Sequence, residues 1–121
     1  MPDVTLSKAK DFAVEIINLC NEINRSPNSA VLAKQLLRAG TSIGANIHEA
    51  NYAYGSADFV FKLQIALKEC YESEYWLELM ERTGMIDAER YKKLKGESGL
   101  IRRMLISAIN KMKARSDEAK E

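Results

Sequence analysis

The sequence predicts an all-α fold, an antiparallel up-down-up-down four-helix bundle made by a single domain, residues 1–121. Apolar residues recur three and four positions apart along most of the chain, and no stretch alternates with the period of a β-strand. Only two prolines occur, Pro2 and Pro27, so little interrupts helical periodicity. Short polar segments separate the periodic stretches, and helices joined by short connections run antiparallel to their sequence neighbours.

The first two helices are predicted over about residues 5–24 and 29–54. The segment RSPNS separates them, and Asn28 or Ser29 is expected to cap helix two, while Gly55 ends it. The seam of helix one consists of Leu6, Ala9, Ala13, Ile16, Cys20 and Ile23. The apolar face of helix two consists of Leu36, Gly40, Ile43, Ile47, Ala50 and Tyr54.

The last two helices are predicted over about residues 57–83 and 87–115. Ser56 is the expected N-cap of helix three, Gly84 its stop, and Asp87 the N-cap of helix four. The polar end RSDEAKE is expected to fray. The seam of helix four consists of Leu94, Ile101, Leu105, Ala108 and Met112.

Helix three is apolar on two faces. The side of helix three that is directed toward the predicted core consists of Phe59, Leu63, Ala66, Cys70, Leu77 and Met80. The opposite face carries Phe61, Ile65, Trp76 and Leu79. A helix that is apolar on two sides is normally buried on both, so this second face predicts an interface with another copy of the chain. Scattered surface hydrophobics are the alternative interpretation.

Helix two contains two glycines four residues apart, Gly40 and Gly44. A glycine inside a helix costs about 1 kcal/mol relative to alanine. The pair therefore predicts that another backbone or a bulky side chain approaches helix two closely at this point.

A polar seam borders the same helix, formed by Arg38, Ser42, Asn46 and Glu49. It is interpreted either as a binding site or as a hydrogen-bonded seam that fixes helix register or a subunit interface. The second interpretation is preferred, because these groups can satisfy one another. Glu74 belongs to this seam as well. It projects into an apolar stripe of helix three, where a lone carboxylate is costly, and Arg38 is its predicted partner.

The sequence also bears on the cellular location of the protein. The start of the sequence has no apolar run after a basic segment, and no stretch is apolar enough to span a membrane, so neither a signal peptide nor a membrane anchor is expected. Cys20 and Cys70 fall on apolar stripes and are predicted to be small core residues. Such use of cysteine fits a reducing cytoplasm.

Several kinds of chemistry are excluded by the residues present. A di-iron bundle requires two Glu-x-x-His motifs, but His48 is the only histidine, and Ala45 stands three residues before it. Glu49 follows His48 without completing a zinc-protease motif. The spacing of the helix-three glutamates is compatible with a hard cation, but a solvated acidic face is the preferred interpretation of Glu69, Glu72, Glu78 and Glu81. No cofactor, catalytic residue or metal ligand is therefore predicted, and the protein is not expected to be an enzyme.

Helix four is the strongest functional lead. Nine Lys or Arg and a single acid, Glu97, lie between Arg90 and Arg115. We call the cluster predicted on one side of this helix the basic ridge; it consists of Lys92, Lys95, Arg102, Arg103 and Lys113. The ridge is expected to contact nucleic-acid phosphates, or to pair with the acidic face of helix three in its own or a neighbouring subunit, and the two roles are compatible. No aromatic residues interleave with it, and the net charge of +1 is low for a nucleic-acid binder.

Two stretches carry a family resemblance: R-A-x-x-S-I-x-A-N-I-x-E-A over residues 38–50 and S-x-D-F-x-x-K-L-x-I-A-L-K-E-x-x-E-x-E-Y-W-L over residues 56–77. They resemble the four-helix-bundle family, also called the 23S rRNA intervening-sequence protein family. The resemblance implies an antiparallel four-helix bundle that forms homopentameric barrels. It places five residues at the family's recurrent positions, namely Arg38, Ser42, Asn46, Glu49 and Glu74.

The resemblance also implies partners. Some members are encoded within intervening sequences of large-subunit rRNA genes, and the related accessory proteins of diversity-generating retroelements partner a reverse transcriptase and bind nucleic acid. We therefore expect a cytoplasmic, non-enzymatic homopentamer that binds or scaffolds RNA, DNA or a nucleic-acid-handling protein. A bundle that binds a small molecule or a metal is the alternative function. The family has no agreed active site to carry over, and Gly44 and Ala50 depart from its common pattern.

Overall fold

A computed structural model describes residues 2–23 and 26–120, with side chains over residues 4–23 and 26–118. Four α-helices and no strands occupy these ranges: α1 (Pro2–Glu22), α2 (Pro27–Ala50), α3 (Ser56–Arg82) and α4 (Ala88–Lys120). α1 and α3 each pack against both α2 and α4, so the helices surround one core. The predicted all-α fold with four helices is confirmed. The predicted end of helix one at Asn24 lies outside the described residues.

The core contains most of the seam residues that periodicity selects on each helix, whereas Ala13 and Met112 are half-buried and Tyr54 is exposed. The fully buried large side chains include Phe12, Ile16, Leu36, Ile43, Ile47, Leu63, Leu77, Met80, Leu94, Ile101 and Leu105. Both cysteines are buried, as predicted. The Cys20 thiol donates a hydrogen bond to the Ala33 carbonyl at 3.3 Å. Burial, followed by the nearby charge of Glu74, raises the pKa of the Cys70 thiol to about 12, so this thiol is un-ionised and unreactive at neutral pH.

The close approach predicted at the glycines of α2 is confirmed, and α1 makes it. A Cβ atom at Gly40 would lie 3.0 Å from both the Cγ1 and Cγ2 atoms of Ile16. At Gly44 it would lie 3.6 Å from the Cβ of Ala9, which is an ordinary contact distance. The absence of a side chain at Gly40 therefore lets α1 pack closely on α2.

The start of α2 differs from the prediction that Asn28 or Ser29 caps it. Ser26 is the N-cap, and its hydroxyl accepts a hydrogen bond from the Ser29 backbone N–H at 3.2 Å. Pro27 is the first helical residue. Its fixed φ suits that position, and its missing N–H would have no partner in the first turn. The proline therefore sets the helix start and moves the cap one residue before it.

The connection between α2 and α3 also differs from the prediction. α2 ends at Ala50, four residues before the predicted end at Tyr54, because the following amides bond to carbonyls three residues back instead of four. Gly55 is the N-cap of α3, and Ser56, the predicted cap, is already helical. Tyr54 consequently leaves the core face to which the prediction assigned it.

The connection between α3 and α4 agrees with the prediction. Gly84, with φ +75°, follows the end of α3 in the left-handed conformation that glycine adopts without strain. The Asp87 carboxylate accepts a hydrogen bond from the Arg90 N–H at 2.7 Å, so it caps α4. α4 then continues to Lys120, beyond the predicted end at residue 115, because the polar segment contains neither glycine nor proline.

Candidate nucleic-acid interface

The polar seam of α2 connects this helix to α3. Arg38 donates to the carboxylates of Glu69, at 3.0 Å, and Glu72. One helical turn on, the Ser42 hydroxyl donates to the Arg38 carbonyl, and Asn46 donates to the Ser42 carbonyl. These last two bonds stay within α2. The seam residues therefore do not satisfy one another through their side chains, and Arg38 makes its ion pairs with α3.

The other end of the seam is also an ion pair with α3. The Lys62 ammonium donates to the Glu49 carboxylate at 2.9 Å. Arg38 and Glu49 thus pair with residues of opposite sign on the same neighbouring helix. The pKa of Arg38 is raised, and the largest cause is its hydrogen bond to Glu72. In turn, the Trp76 indole N–H, which lies 3.0 Å from the Glu72 carboxylate, contributes most to the lowered pKa of Glu72.

Glu74 pairs with a cation, as predicted, but the predicted partner is wrong. The Arg102 Nε lies 3.0 Å from the Glu74 carboxylate, and the Ser98 hydroxyl donates to the same oxygen at 3.0 Å. Both partners belong to α4. The Arg102 guanidinium also lies 5.6 Å from the ring centroid of Tyr71. Glu74 therefore belongs to a polar cluster between α3 and α4, separate from the seam between α2 and α3.

The residues predicted at the oligomer interface have unequal surroundings. Phe61 is 57% exposed, whereas Ile65 and Leu79 are half-buried. Trp76 is also half-buried, and it packs against the core of its own chain. Phe61 is thus the residue of this set that exposes the most apolar surface.

The cations of α4 divide into two groups. The first group pairs with acids of the flanking helices: Arg90 with Glu22 of α1 at 2.8 Å, Lys93 with Glu15 of α1, and Arg102 with Glu74 of α3. The second group is exposed and makes no ion pair within the described residues. Besides Lys111 and Arg115, this group contains the rest of the predicted basic ridge, namely Lys92, Lys95, Arg103 and Lys113. Within one chain, pairing with the acidic face of α3 therefore accounts for one ridge residue, Arg102.

The four unpaired ridge cations lie on the solvent side of α4, away from the buried Leu94, Ile101 and Leu105. Lys95 extends over the Tyr91 ring, with 5.6 Å between its ammonium and the ring centroid. Arg103 folds back over Gly99, where an added Cβ would lie 3.4 Å from its guanidinium. Their ammonium and guanidinium groups are available to an anion from solvent.

A pair of carboxyl groups lies on the other flank of α4. One carboxylate oxygen of Glu97 is buried without a hydrogen-bond partner, and Glu15 of α1 lies beside it. Burial, followed by hydrogen bonding to Glu15, raises the pKa of Glu97 to about 7. Burial also acts to raise the pKa of Glu15, but hydrogen bonding to Glu97 and Lys93 outweighs it and lowers the pKa. Protonation of Glu97 therefore relieves the repulsion between the two carboxyl groups.

Comparison with known proteins identifies the family. The family model described as 23S rRNA-intervening sequence protein matches residues 4–107. The chain belongs to the 23S rRNA-intervening sequence protein family. A crystal structure from Bacteroides thetaiotaomicron, described as a protein with unknown function from the S23 ribosomal protein family, is 48% identical. It covers 90% of this chain and 97% of its own, with a TM-score of 0.86. No curated protein matches the chain.

The surroundings of His48 and the apolar character of the helices bear on the metal and membrane expectations for this intervening-sequence family member. His48 is exposed on α2, and its ring lies 5.5 Å from that of Tyr52 in an edge-on contact. Among the described residues, no three histidine, cysteine or acidic side chains are grouped so that they could hold a metal ion. Within the same ranges, no helix has the length and apolar character needed to cross a membrane.

Sequence reasoning missed two features of this family member. One is the Glu15–Glu97 pair, because a helical wheel shows which face a carboxylate occupies but not which carboxylate of another helix it meets. The other is the exposure of Tyr52 and Tyr54, which are 74% and 102% exposed. The cluster of polar residues and glycine in NYAYGS was the available signal that α2 ends early.

Proposed function

We propose that the protein is a cytoplasmic, non-enzymatic, homo-oligomeric scaffold that binds nucleic acid through the phosphates facing its basic ridge. The observation that carries the proposal is the division of the cations of α4. Arg90, Lys93 and Arg102 pair with acids of α1 and α3, whereas Lys92, Lys95, Arg103 and Lys113 are exposed and unpaired within the described residues. A row of unpaired cations on one helix is the surface feature that a polyanion recognises.

Arrangement along the helix supports phosphate binding. From Lys92 to Lys113 the ridge spans 21 residues, which is about 32 Å of helix axis. Neighbouring phosphates of one nucleic-acid strand lie much closer together than the two ends of the ridge. A ridge of this length can therefore contact several phosphates of the same strand. The bonds are made by flexible cationic side chains to phosphate oxygens, so we expect affinity without strong sequence preference.

The oligomeric part of the proposal is a homopentamer of helical bundles whose neighbouring helices run antiparallel. The order of ion pairs supports the antiparallel arrangement, since Arg38 of α2 pairs with Glu69 of α3, whereas the later Glu49 pairs with the earlier Lys62. Phe61, with 57% of its surface exposed, supports contact between copies. In a ring, the ridges of several copies would combine into one large positive surface, which offsets the low net charge of each chain.

Binding can be tested by fluorescence anisotropy with labelled RNA and DNA over a series of salt concentrations. The ridge variant carries Gln at Lys92, Lys95, Arg103 and Lys113. The control variant carries Gln at four exposed lysines of α1, α2 and α3, and so changes the net charge equally: Lys8, Lys10, Lys34 and Lys68.

The wild type and the control should bind alike at low salt, and the ridge variant should bind weakly. On duplex DNA the slope of log affinity against log salt should become shallower by about 3 to 4, at roughly 0.9 for each phosphate that the variant no longer neutralises. Equal reductions in affinity in both variants would mean that net charge, and not the ridge, determines binding.

The oligomeric part of the proposal is tested by native mass spectrometry at low salt, which should give a mass of five times 13.6 kDa. A mass equal to a single chain would contradict it.

A further inference from the structure

Two tyrosines in the connection between α2 and α3 do not pack into the core of the described chain. Tyr52 is 74% exposed and Tyr54 102% exposed, the two highest exposures among the large hydrophobic side chains. The segment Asn51–Gly55, which we call the tyrosine loop, places them two residues apart. An aromatic ring left in water sacrifices the large gain that burial would give it, so the exposure of both rings calls for an explanation.

The tyrosine loop is held in place by its own hydrogen bonds. The Tyr52 N–H donates to the Glu49 carbonyl at 2.9 Å, and the Tyr54 N–H donates to the Asp58 carboxylate at 3.1 Å. The Tyr52 ring also contacts His48 edge-on, with 5.5 Å between the ring centroids. The backbone beneath both rings is therefore fixed, so a flat ligand that stacks on them has little loop entropy to overcome.

The same loop lies beside the last part of the basic ridge. Met112 of α4 lines one surface pocket together with Ala53, Gly55 and residues at the start of α3. Lys113 follows Met112 directly, is exposed, and is one of the four unpaired ridge cations. α4 carries no aromatic residue after Tyr91, so the rings beside the Lys113 end of the ridge are supplied by another part of the chain.

We infer that the tyrosine loop is a stacking platform for unpaired bases, and that the ligand of the ridge is single-stranded nucleic acid. The inference rests on the proposed function, since the ridge holds the phosphates while Tyr52 and Tyr54 stack on bases. Every base has a flat face, so stacking is tolerant of sequence. Bases within a duplex are already stacked on their neighbours, and they cannot reach the rings without being unstacked. The platform therefore favours single strands over duplexes.

The experiment compares a labelled single strand of about 15 nucleotides with the duplex of the same sequence, by anisotropy at fixed salt. The test variant is Tyr52→Ala with Tyr54→Ala. The matched control is Tyr75→Ala, which removes a 56% exposed tyrosine ring from α3. A third variant, Tyr52→Phe with Tyr54→Phe, keeps both rings and removes their hydroxyls. All these side chains are exposed, so the variants should fold, which circular dichroism verifies.

The alanine variant should bind the single strand at least about 5-fold more weakly for each base that loses its stacking partner, and should bind the duplex within about 2-fold of the wild type. The phenylalanine variant and Tyr75→Ala should bind the single strand as the wild type does. The inference is overturned if the alanine variant keeps its single-strand affinity, or if the wild type binds the duplex as tightly.

Two results separate this inference from the function on which it rests. If the ridge variant loses all binding while the tyrosine variants bind normally, the ridge holds phosphates and the platform is wrong. If the wild type binds neither probe at low salt, both proposals fail together. Native mass spectrometry of the alanine variant tests whether the two rings instead form an interface between copies of the chain. Disappearance of the assembled species would show that the tyrosine loop contacts a second copy, and would overturn the stacking platform.

Discussion

The two glycines of α2 allow a direct test of how α1 and α2 pack. Both are buried in the same helix, four residues apart, so replacing either by alanine changes the helix backbone in the same way. The methyl groups would meet different surroundings. At Gly40 the new Cβ would lie 3.0 Å from two carbons of Ile16, well inside a normal contact distance, whereas at Gly44 its nearest neighbour, the Cβ of Ala9, would be 3.6 Å away.

The magnitudes follow from two opposing effects. Replacing glycine by alanine inside a helix stabilises it by about 1 kcal/mol. Overpacking a filled core costs about 1–3 kcal/mol. Gly44→Ala should therefore raise the free energy of unfolding by up to about 1 kcal/mol. Gly40→Ala should leave it unchanged or lower it by up to about 2 kcal/mol, because the steric cost opposes the same gain.

Urea unfolding followed by circular dichroism, at one protein concentration for all variants, measures this difference. The concentration is fixed because the stability of an oligomer depends on it. Ile16→Ala supplies the second arm of the test, since it removes both carbons that the Gly40 methyl would meet. In that background Gly40→Ala should lose its steric cost, while the effect of Gly44→Ala should not change. If Gly40→Ala stabilises the wild type as much as Gly44→Ala does, the packing argument is refuted.

Two further predictions concern ionisable side chains. The raised pKa of Glu97, about 7 against an ordinary 4.5, means that the folded state keeps a proton that the unfolded chain has lost, so this group lowers the free energy of unfolding as pH rises from 4.5 to 7. Glu97→Gln should remove that fall and stabilise the protein on the order of 1 kcal/mol above pH 7, in urea unfolding at several pH values; an unchanged pH profile would contradict it. In double-mutant cycles of unfolding free energy, Glu74→Ala should couple with Arg102→Ala by about 0.5–3 kcal/mol and should be additive with Arg38→Ala. The reverse pattern would show that Glu74 pairs with Arg38 of α2 and not with Arg102 of α4.

Periodicity was sufficient for the helices but not for the pairing between them. Glu74 shows why. Its position in the apolar stripe of α3 indicated a buried carboxylate that needs a cation, and the structure supplies one. α3 packs against both α2 and α4, however, and a wheel of α3 does not tell which neighbour lies on which side. Arg38 and Arg102 were equally plausible partners by type, and only the three-dimensional arrangement assigns Glu74 to Arg102.

The end of α2 shows a second limit of sequence reasoning. Extending the helical period to Tyr54 placed this residue on the core face, and the exposed ring that the structure shows is the opposite of that prediction. Helix ends depend on a few hydrogen bonds whose energies differ little, so they are less well determined by composition than helix centres. An error of four residues here concealed the aromatic surface beside the basic ridge.

The distribution of ion pairs separates the parts of the molecule that build the bundle from those that do not. Arg38, Glu49 and Glu74 each form an ion pair with a neighbouring helix of the same chain, so they hold the helices of the bundle together and are poor candidates for binding a ligand. The exposed cations of α4 have no such role within the described residues. Lys92 and Lys95 lie three residues apart on the outer side of α4, where like charges repel and weaken the fold slightly. An anionic ligand removes this repulsion and adds bonds to its phosphates as well. Ligand binding should therefore be sought at the ridge and the tyrosine loop, whereas mutations in the polar seam should change the stability of the protein.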